Sequence, residues 1–494
     1  MITLGIDIGT SGVKMVLVDH AATGGDRVIG SASHPLTVQR PQTGWSEQDP
    51  DSWWRATLDC GDALYAAHPA GMADCTAIGL SGQMHGATLL DRAGRVLRPC
   101  ILWNDGRSTD QCADFERAWP QSRQVTGNRA MPGFTAPKLL WVREHEPAVF
   151  DAIATVLLPK AYVRWKLCGE AIEEMSDASG TLWLDVAQRC WSDDALRTCG
   201  LSAAQMPRLV EGSAPAGQLH RALADRWGMR QQPLLAGGAG DNAAGAVAVG
   251  ATRAGDAFVS LGTSGVLWCT TAAFQPNTTH AVHAFCHAVP DTWHQMGVLL
   301  NAASCVGWWA DITGQDAASL LGELPDDART TAWFAPYLTG ERTPHDDALV
   351  RAGFLGLDAS HTRADMTLAV IEGVSYAMRD AQQALVAAGT QIAEADLLGG
   401  GARSAFWCQL MADVLGIPLH VVPQSEMGCA VGAARLAAMA ALGGGGEVVA
   451  QVAARPARIA TCEPRPDQVA RHAERHARWQ TLYRHASEFR QYAS

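Results

Sequence analysis

The chain has 494 residues, 48% hydrophobic and 18% charged, which at about 150 residues per domain allows two to four packed units and excludes a disordered chain. Its formal net charge of -12 excludes a non-specific nucleic-acid binder held by a basic field, although local groups can still bind an anion. The 13 cysteines are an odd, scattered set with no C-x-x-C pair, the usage of reduced thiols in a cytoplasmic protein and not of a disulfide framework.

Ile2 to Ile8 reads as a strand from the outset, with no basic leader and no cleavage site before it, so no signal peptide is expected. The pentapeptide GTSGV follows at 9–13 and returns at 262–266. ITLGIDI precedes the first copy and KMVLVD follows it; AFVSL and LWCTT flank the second. Strand, Gly-rich turn, strand predicts a β-hairpin, and one such hairpin in each half predicts two related lobes. Met1 to about Ala246 forms the first lobe (1–246), and Gly250 to Gly443 the second (250–443). Residues 444–494 form a linker and helical tail, with GGGG at 443–446 as punctuation. Strands and helices mix in both lobes, so the class is α/β.

Trp53-Trp54 anchors a helix on the core. The Walker A loop is absent, because the dipeptide GK never occurs. A nucleotide would therefore be held elsewhere, and the GTSG turns are candidates: Gly9, Thr10 and Ser11, then Gly262, Thr263 and Ser264. Glycine permits close backbone approach, turn N–H groups form an anion nest, and the hydroxyls can add donors. Plain hairpin turns are the bland alternative.

PLLAGGAGDNAAG ends a short strand in glycines, and Asp241 opens an Ala-rich run. Asp241 is a helix N-cap, a base that accepts the proton of an alcohol in phosphoryl transfer, or both. Gly238, Gly240 and Ala243 also fit the dinucleotide fingerprint, but no acidic residue closes a following strand, so NAD is set aside. Asp7, charged in an apolar strand beside the first turn, is a candidate for Mg²⁺, held through water. His283, Cys286 and His287 have metal-like spacing on a strand, yet the ligand set is incomplete and sheet packing is expected.

ADLLGGGARSAFWCQLMADVLGIPLHVV predicts strand, loop, helix and strand, with Gly416 ending the helix. Gly399, Gly400 and Gly401 could pass close to a base or a phosphate, or simply allow tight packing. The Ala-rich stretch at 430–441 is broken by Arg435, and no run reaches the ~20 residues of a membrane span. After Pro466, Trp479, Leu482, Tyr483 and Phe489 fall on one helical stripe.

Two longer stretches carry more information: GFTAPKLLWVREHEP at 133–147 and AGFLGLDASHTRADMTLAVIEGVSYA at 352–377. Nearly end to end, the chain resembles the FGGY carbohydrate kinases. WSEQDPDSWW, SGQMHGATLLD, ILWNDGR and YLTGERTPH make it similar, within them, to the bacterial xylulokinases. The resemblance implies two duplicated actin-like (ribonuclease-H-like) ATPase domains with a cleft between the lobes. It implies ATP and Mg²⁺ as cofactors and D-xylulose as the sugar. By it, Asp241 is the catalytic base and Asp7 is important for activity. Met84, His85, Asn242 and Trp103 contact the sugar, and the GTSG turns with Gly400, Gly401 and Ser404 hold the nucleotide. A homodimer is the family expectation. The rival readings are a kinase for another pentulose, a pentitol or glycerol, and a non-catalytic ATP switch on the same fold.

Overall fold

ITLGIDI forms strand β1 (Ile2–Ile8), and KMVLVD lies within β2 (Gly12–Asp19), paired antiparallel to it from Ile2↔Asp19 to Ile8↔Val13. The structure is a computed structural model and describes residues 1–20, 26–423 and 428–489, so residues 490–494 of the expected tail lie outside it. Leu4, Ile6, Ile8, Val13, Met15 and Leu17 are wholly buried. Such near-continuous apolar strands belong to a sheet covered on both faces. β3 (Arg27–Pro35) extends the hairpin. Helix α1 (Pro50–Ala67) starts where Asp49 accepts the Asp51 N–H, with Pro50 in its first turn; it buries Trp53 and half-buries Trp54. Next come β4 (Cys75–Gly82), α2 (Thr135–His145), α3 (Met175–Ser179), β5 (Pro215–Gln218), β6 (Leu234–Ala236) and the short β7 (Ala239–Gly240). The first sheet runs β5–β6–β4–β1–β2–β3, with β7 set against the end of β4.

Helix α4 (Asp241–Ala248) leads to a second sheet. Its strands are β8 (Ala257–Leu261), β9 (Gly265–Thr271), β10 (His283–Cys286), β11 (Trp293–Leu299), β12 (Ala395–Leu398), β13 (Leu419–Val421) and β14 (Ala460–Cys462). They run in the order β10–β11–β9–β8–β12–β13–β14. The paths β3–β2–β1–β4–β6–β5 and β11–β9–β8–β12–β13–β14 have one pairing pattern: antiparallel twice, parallel twice, then antiparallel. The repeat heard in GTSGV is thus a repeat of whole sheets, each begun by its own hairpin.

Helices α5 (Ala303–Thr313), α6 (Arg363–Ala387) and α7 (Ala405–Leu415) serve the second sheet. Gly416, at φ +70°, stops α7 in the left-handed region before β13, so the expected strand, loop, helix and strand are all present. Helix α8 (Gly428–Ala441) does something the sequence did not announce: it packs on the first sheet. A Cβ on Gly5 would lie 1.8 Å from the Ala430 oxygen, and one on Gly79 1.9 Å from that of Ala433. The Thr3 hydroxyl donates to the Ala434 carbonyl at 2.9 Å. α8 also crosses α4, where a Cβ on Gly432 would lie 1.9 Å from the Ala244 oxygen. Arg435 is buried and donates to the Val247 and Ala248 carbonyls at the end of α4, and to Asp26 at 2.6 Å. The charge that interrupts the apolar run therefore ties two helices together.

The tail forms two helices, α9 (Pro466–Trp479) and α10 (Thr481–Glu488). Trp479 and Leu482 are buried, but Phe489, expected on the same stripe, lies past the end of α10 at its C-cap and is 67% exposed. Arg475 pairs with Glu372 and His476 with Asp380, each across to α6. All 13 cysteines are unpaired. Among the described residues no helix is long and apolar enough to cross a membrane.

Candidate active site

Asp7 is the penultimate residue of β1, and the sheet register sets it beside Lys14 on β2 and Ser81 on β4. Its Oδ1 is buried with no hydrogen-bond partner among the described residues. Burial raises its pKa, with Ser81 and Lys14 pulling the other way. Asp241 opens α4, but Gly240 takes the N-cap position, so the capping alternative for Asp241 fails. Its Oδ1 instead accepts from the Asn242 N–H at 2.7 Å and the Asn242 amide at 2.9 Å. Burial, and then the charge of Asp7, push Asp241 up to about 6. Both carboxylates line a cleft of about 580 Å³, with Lys14, Asn242, Ser260 and Gly399 also on its walls. Groups from both sheets therefore face one space.

Met84 and His85 follow the end of β4. A Cβ on Gly240 would lie 2.9 Å from Met84 Cγ, so this pair adjoins the residue that precedes Asp241. His85 has φ +71°, a left-handed conformation that costs a non-glycine residue of order 1–3 kcal/mol. Its Nδ1 lies 2.7 Å from the Gly180 oxygen, and its own carbonyl accepts from Lys138 Nζ and the Thr135 hydroxyl, each at 3.1 Å. Phe134 stands edge-on to the ring at 4.8 Å. Burial and then the Lys138 charge bring His85 down to about 3. Trp103 is 42% exposed and donates its indole N–H to the Thr10 hydroxyl at 3.0 Å.

In the first GTSG turn the Gly9 N–H donates to the Gly12 carbonyl. The Thr10 hydroxyl spends its proton on Gln83 at 3.0 Å, and Gln48 donates to the Thr10 carbonyl at 2.8 Å. Ser11 is exposed, as are Thr263 and Ser264 of the second turn, while Gly262 is half-buried. The Gly262 and Thr263 carbonyls accept from Ala303 and Ala302, which seats the second turn on the start of α5. In the third loop Gly400 faces open space, Gly401 packs on Leu261 and Trp407, and Ser404 caps α7 by accepting the Trp407 N–H.

Lys138 lies in the GFTAPKLLWVREHEP stretch, which gave it no task; a lone lysine in the apolar run of α2 was the available signal. Sequence reasoning missed Gln48, Gln83 and Gly180, which lack any spacing signature. Gly238, from the dinucleotide-like match, packs against Leu80, where a Cβ would lie 2.0 Å from the carbonyl oxygen. His283 pairs with Asn128 and His287 with the Ala251 carbonyl, as sheet packing requires. Among the described residues, the one group with metal-like spacing is Glu173, Glu174 and Asp177. The Lys160 ammonium already sits 2.6 Å from Glu173 and 3.5 Å from each of the others.

Comparison with known proteins gives the family. The model of the FGGY carbohydrate kinase N-terminal domain matches residues 2–248, and that of the C-terminal domain residues 257–441. The chain is 49% identical over 441 residues to xylulose kinase of Escherichia coli (strain K12), covering 89% of this chain and 90% of that one. It is 47% identical to xylulose kinase of Klebsiella pneumoniae over 440 residues, 88% of this chain and 89% of that one. A crystal structure described as a xyloylose kinase from Brucella ovis superposes with TM-score 0.94 at 47% identity, covering 99% of this chain and 100% of that one. Xylulose kinase from Rhodospirillum rubrum gives 0.89 at 28% identity, with 99% and 100% covered. This chain, with its paired sheets and shared cleft, belongs to the FGGY family of carbohydrate kinases.

Proposed function

We propose that this kinase transfers the γ-phosphoryl group of ATP to the O5 hydroxyl of D-xylulose, giving D-xylulose 5-phosphate and ADP. The observation that carries the reading is the half-buried carboxylate of Asp241, raised to about 6, on a cleft walled by both sheets and adjoining Met84 and His85. A base poised near neutral pH can hold and accept the hydroxyl proton as the oxygen attacks phosphorus in line. In this reading residues 1–246 bind the sugar through Met84, His85, Asn242 and Trp103. Residues 250–443 bind the nucleotide through the second turn, Gly400, Gly401 and Ser404, with the first turn facing its phosphates. Residues 444–494 are the linker and helical tail, in which α9 braces the second lobe through Arg475 and His476. Backbone N–H groups and the exposed Ser11, Thr263 and Ser264 hydroxyls suit phosphate, whereas the Thr10 hydroxyl is already committed to Gln83.

Asp7, with an Oδ1 unpartnered among the described residues and a second carboxylate on the same cleft, is a hard oxygen donor that suits Mg²⁺. Bound there, the cation would neutralise charge that develops on the phosphates. The unpaired cysteines support a reducing cytoplasm, and family likeness supports a homodimer.

The test is sugar-dependent ADP release with MgATP across D-xylulose, D-ribulose, L-ribulose, xylitol, glycerol and no sugar. Preference for D-xylulose over a low blank is expected; preference for another member would overturn the sugar assignment and leave the fold. The pH profile follows from the carboxylates. Asp241 must be ionised to act as a base, so kcat/KM should be flat above about pH 6 and fall about tenfold per pH unit below it. Asp7→Asn removes the like charge that raises Asp241, so the acid limb of its residual activity should move to lower pH. A limb unmoved in that variant would mean the two carboxylates do not sense one another.

A further inference from the structure

We propose that Lys138 is a positioning residue for the sugar site: with the Gly180 carbonyl it locks His85 as a hydrogen-bond acceptor, so that the sugar group read there is a hydroxyl and not the ketone oxygen. This rests on the reading that His85 contacts the sugar.

The argument begins with what each atom can do. A backbone carbonyl has no proton to give, so the 2.7 Å bond between His85 Nδ1 and the Gly180 oxygen requires Nδ1 to carry the hydrogen. A neutral ring then has a lone pair, and no proton, on Nε2. Neutrality follows from the surroundings: the ring is packed against Phe134, and a protonated imidazole would stand near Arg342 and near Lys138, which burial itself brings down to about 7. His85 is accordingly displaced far below the usual histidine range, to about 3.

The backbone is fixed by the same neighbours. A left-handed histidine persists only where its surroundings hold it. Lys138 is wholly buried, and its Nζ donates to two carbonyls, that of His85 at 3.1 Å and that of Gly133 at 2.7 Å. The Thr135 hydroxyl, one turn earlier on α2, reaches the same His85 oxygen. Gly180 leaves the room this needs, since a Cβ there would fall 2.5 Å from His85 Nδ1. The ring is thus held at its carbonyl from α2 and at Nδ1 from the residue that ends α3, with Nε2 left over for the sugar. A ketone oxygen cannot donate to a lone pair; a hydroxyl can.

The experiment combines substrate analogues with a double-mutant cycle. D-xylulose and its 1-, 3- and 4-deoxyfluoro analogues are assayed with wild type, Lys138→Met, His85→Ala and the double variant. Fluorine accepts but cannot donate, so one analogue should show a KM about tenfold above D-xylulose in the wild type, the worth of one lost hydrogen bond. In Lys138→Met the KM for D-xylulose should rise by a similar factor, the KM for ATP should stay, and the analogue penalty should vanish. The double variant should be no worse than His85→Ala alone, because the two changes remove one interaction. Additive effects, or an unchanged sugar KM in Lys138→Met, would overturn the proposal. Lys138→Arg, which keeps buried N–H donors, should fold and fall between wild type and Lys138→Met. Nitrogen-15 shifts of histidine-labelled wild type, assigned against His85→Gln, give a reading without a Lys138 variant: a proton on Nε2 of His85 would also overturn it. Failure of wild type to use D-xylulose at all would strike the function proposed above, whereas normal use with these variants silent would strike only Lys138.

Discussion

Asp241→Asn should lower kcat by about 10²–10⁴-fold, the usual worth of a general base, with the Kd for D-xylulose nearly unchanged. Asparagine is the sharper substitution because it keeps the volume and an oxygen to accept from the Asn242 N–H at the start of α4. What it loses is the capacity to take a proton. A loss confined to kcat identifies an interaction made in the transition state, whereas a raised KM with unchanged kcat would mean Asp241 only binds sugar. Calorimetry with D-xylulose and single-turnover kinetics separate the two outcomes. Normal turnover by this variant would remove Asp241 from the mechanism.

Gly432→Val should be the most damaging change away from the cleft. A Cβ at Gly432 meets the Ala244 backbone oxygen at 1.9 Å, and backbone cannot swing aside as the tip of a side chain can. Overpacking a core costs about 1–3 kcal/mol and occasionally more, so the top of that range and a Tm lower by roughly 6 °C or more are expected. Activity should fall with it, because α4 is displaced at the crossing and Asp241 is its first residue. Gly307→Ala on α5 is the control: nothing lies within 4 Å of its Cβ, and it should be neutral or slightly stabilising. A Tm for Gly432→Val within 1–2 °C of wild type, about the scatter of a neutral surface change, would mean that the two helices can separate freely.

The hairpins were legible because each needs a local signal, two apolar runs about a Gly-rich turn, and the repetition of GTSGV carried the symmetry of the sheets. The α7 unit was legible for the same reason: its apolar stripe and its Gly416 stop are local. Helix α8 was not legible in this way. An Ala- and Gly-rich helix has no bulky stripe to name its partner, and its fit depends on Gly5 and Gly79, some 425 and 350 residues earlier in the chain. At the site, Asp7 and Asp241 stood out as acids amid apolar residues. That Gly240, and not Asp241, caps α4 depends on backbone angles that residue type alone does not give. The link from Lys138 to the His85 carbonyl was invisible, since it joins a side chain to a main-chain oxygen and leaves no pattern of residue types.

The seat of α8 on β1 and β4 also bears on how the protein is made. Thr3 waits for Ala434, a partner 431 residues away, and the faces of Gly5 and Gly79 stay bare until that helix arrives. Contacts of such range close slowly, and their loop entropy must be met before they return anything. On the ribosome, the sheet that is synthesised first is therefore among the last to be finished. An N-terminal fragment released early would expose a strip of small residues, open to misassembly between chains, until nearly the whole polypeptide is available to cover it.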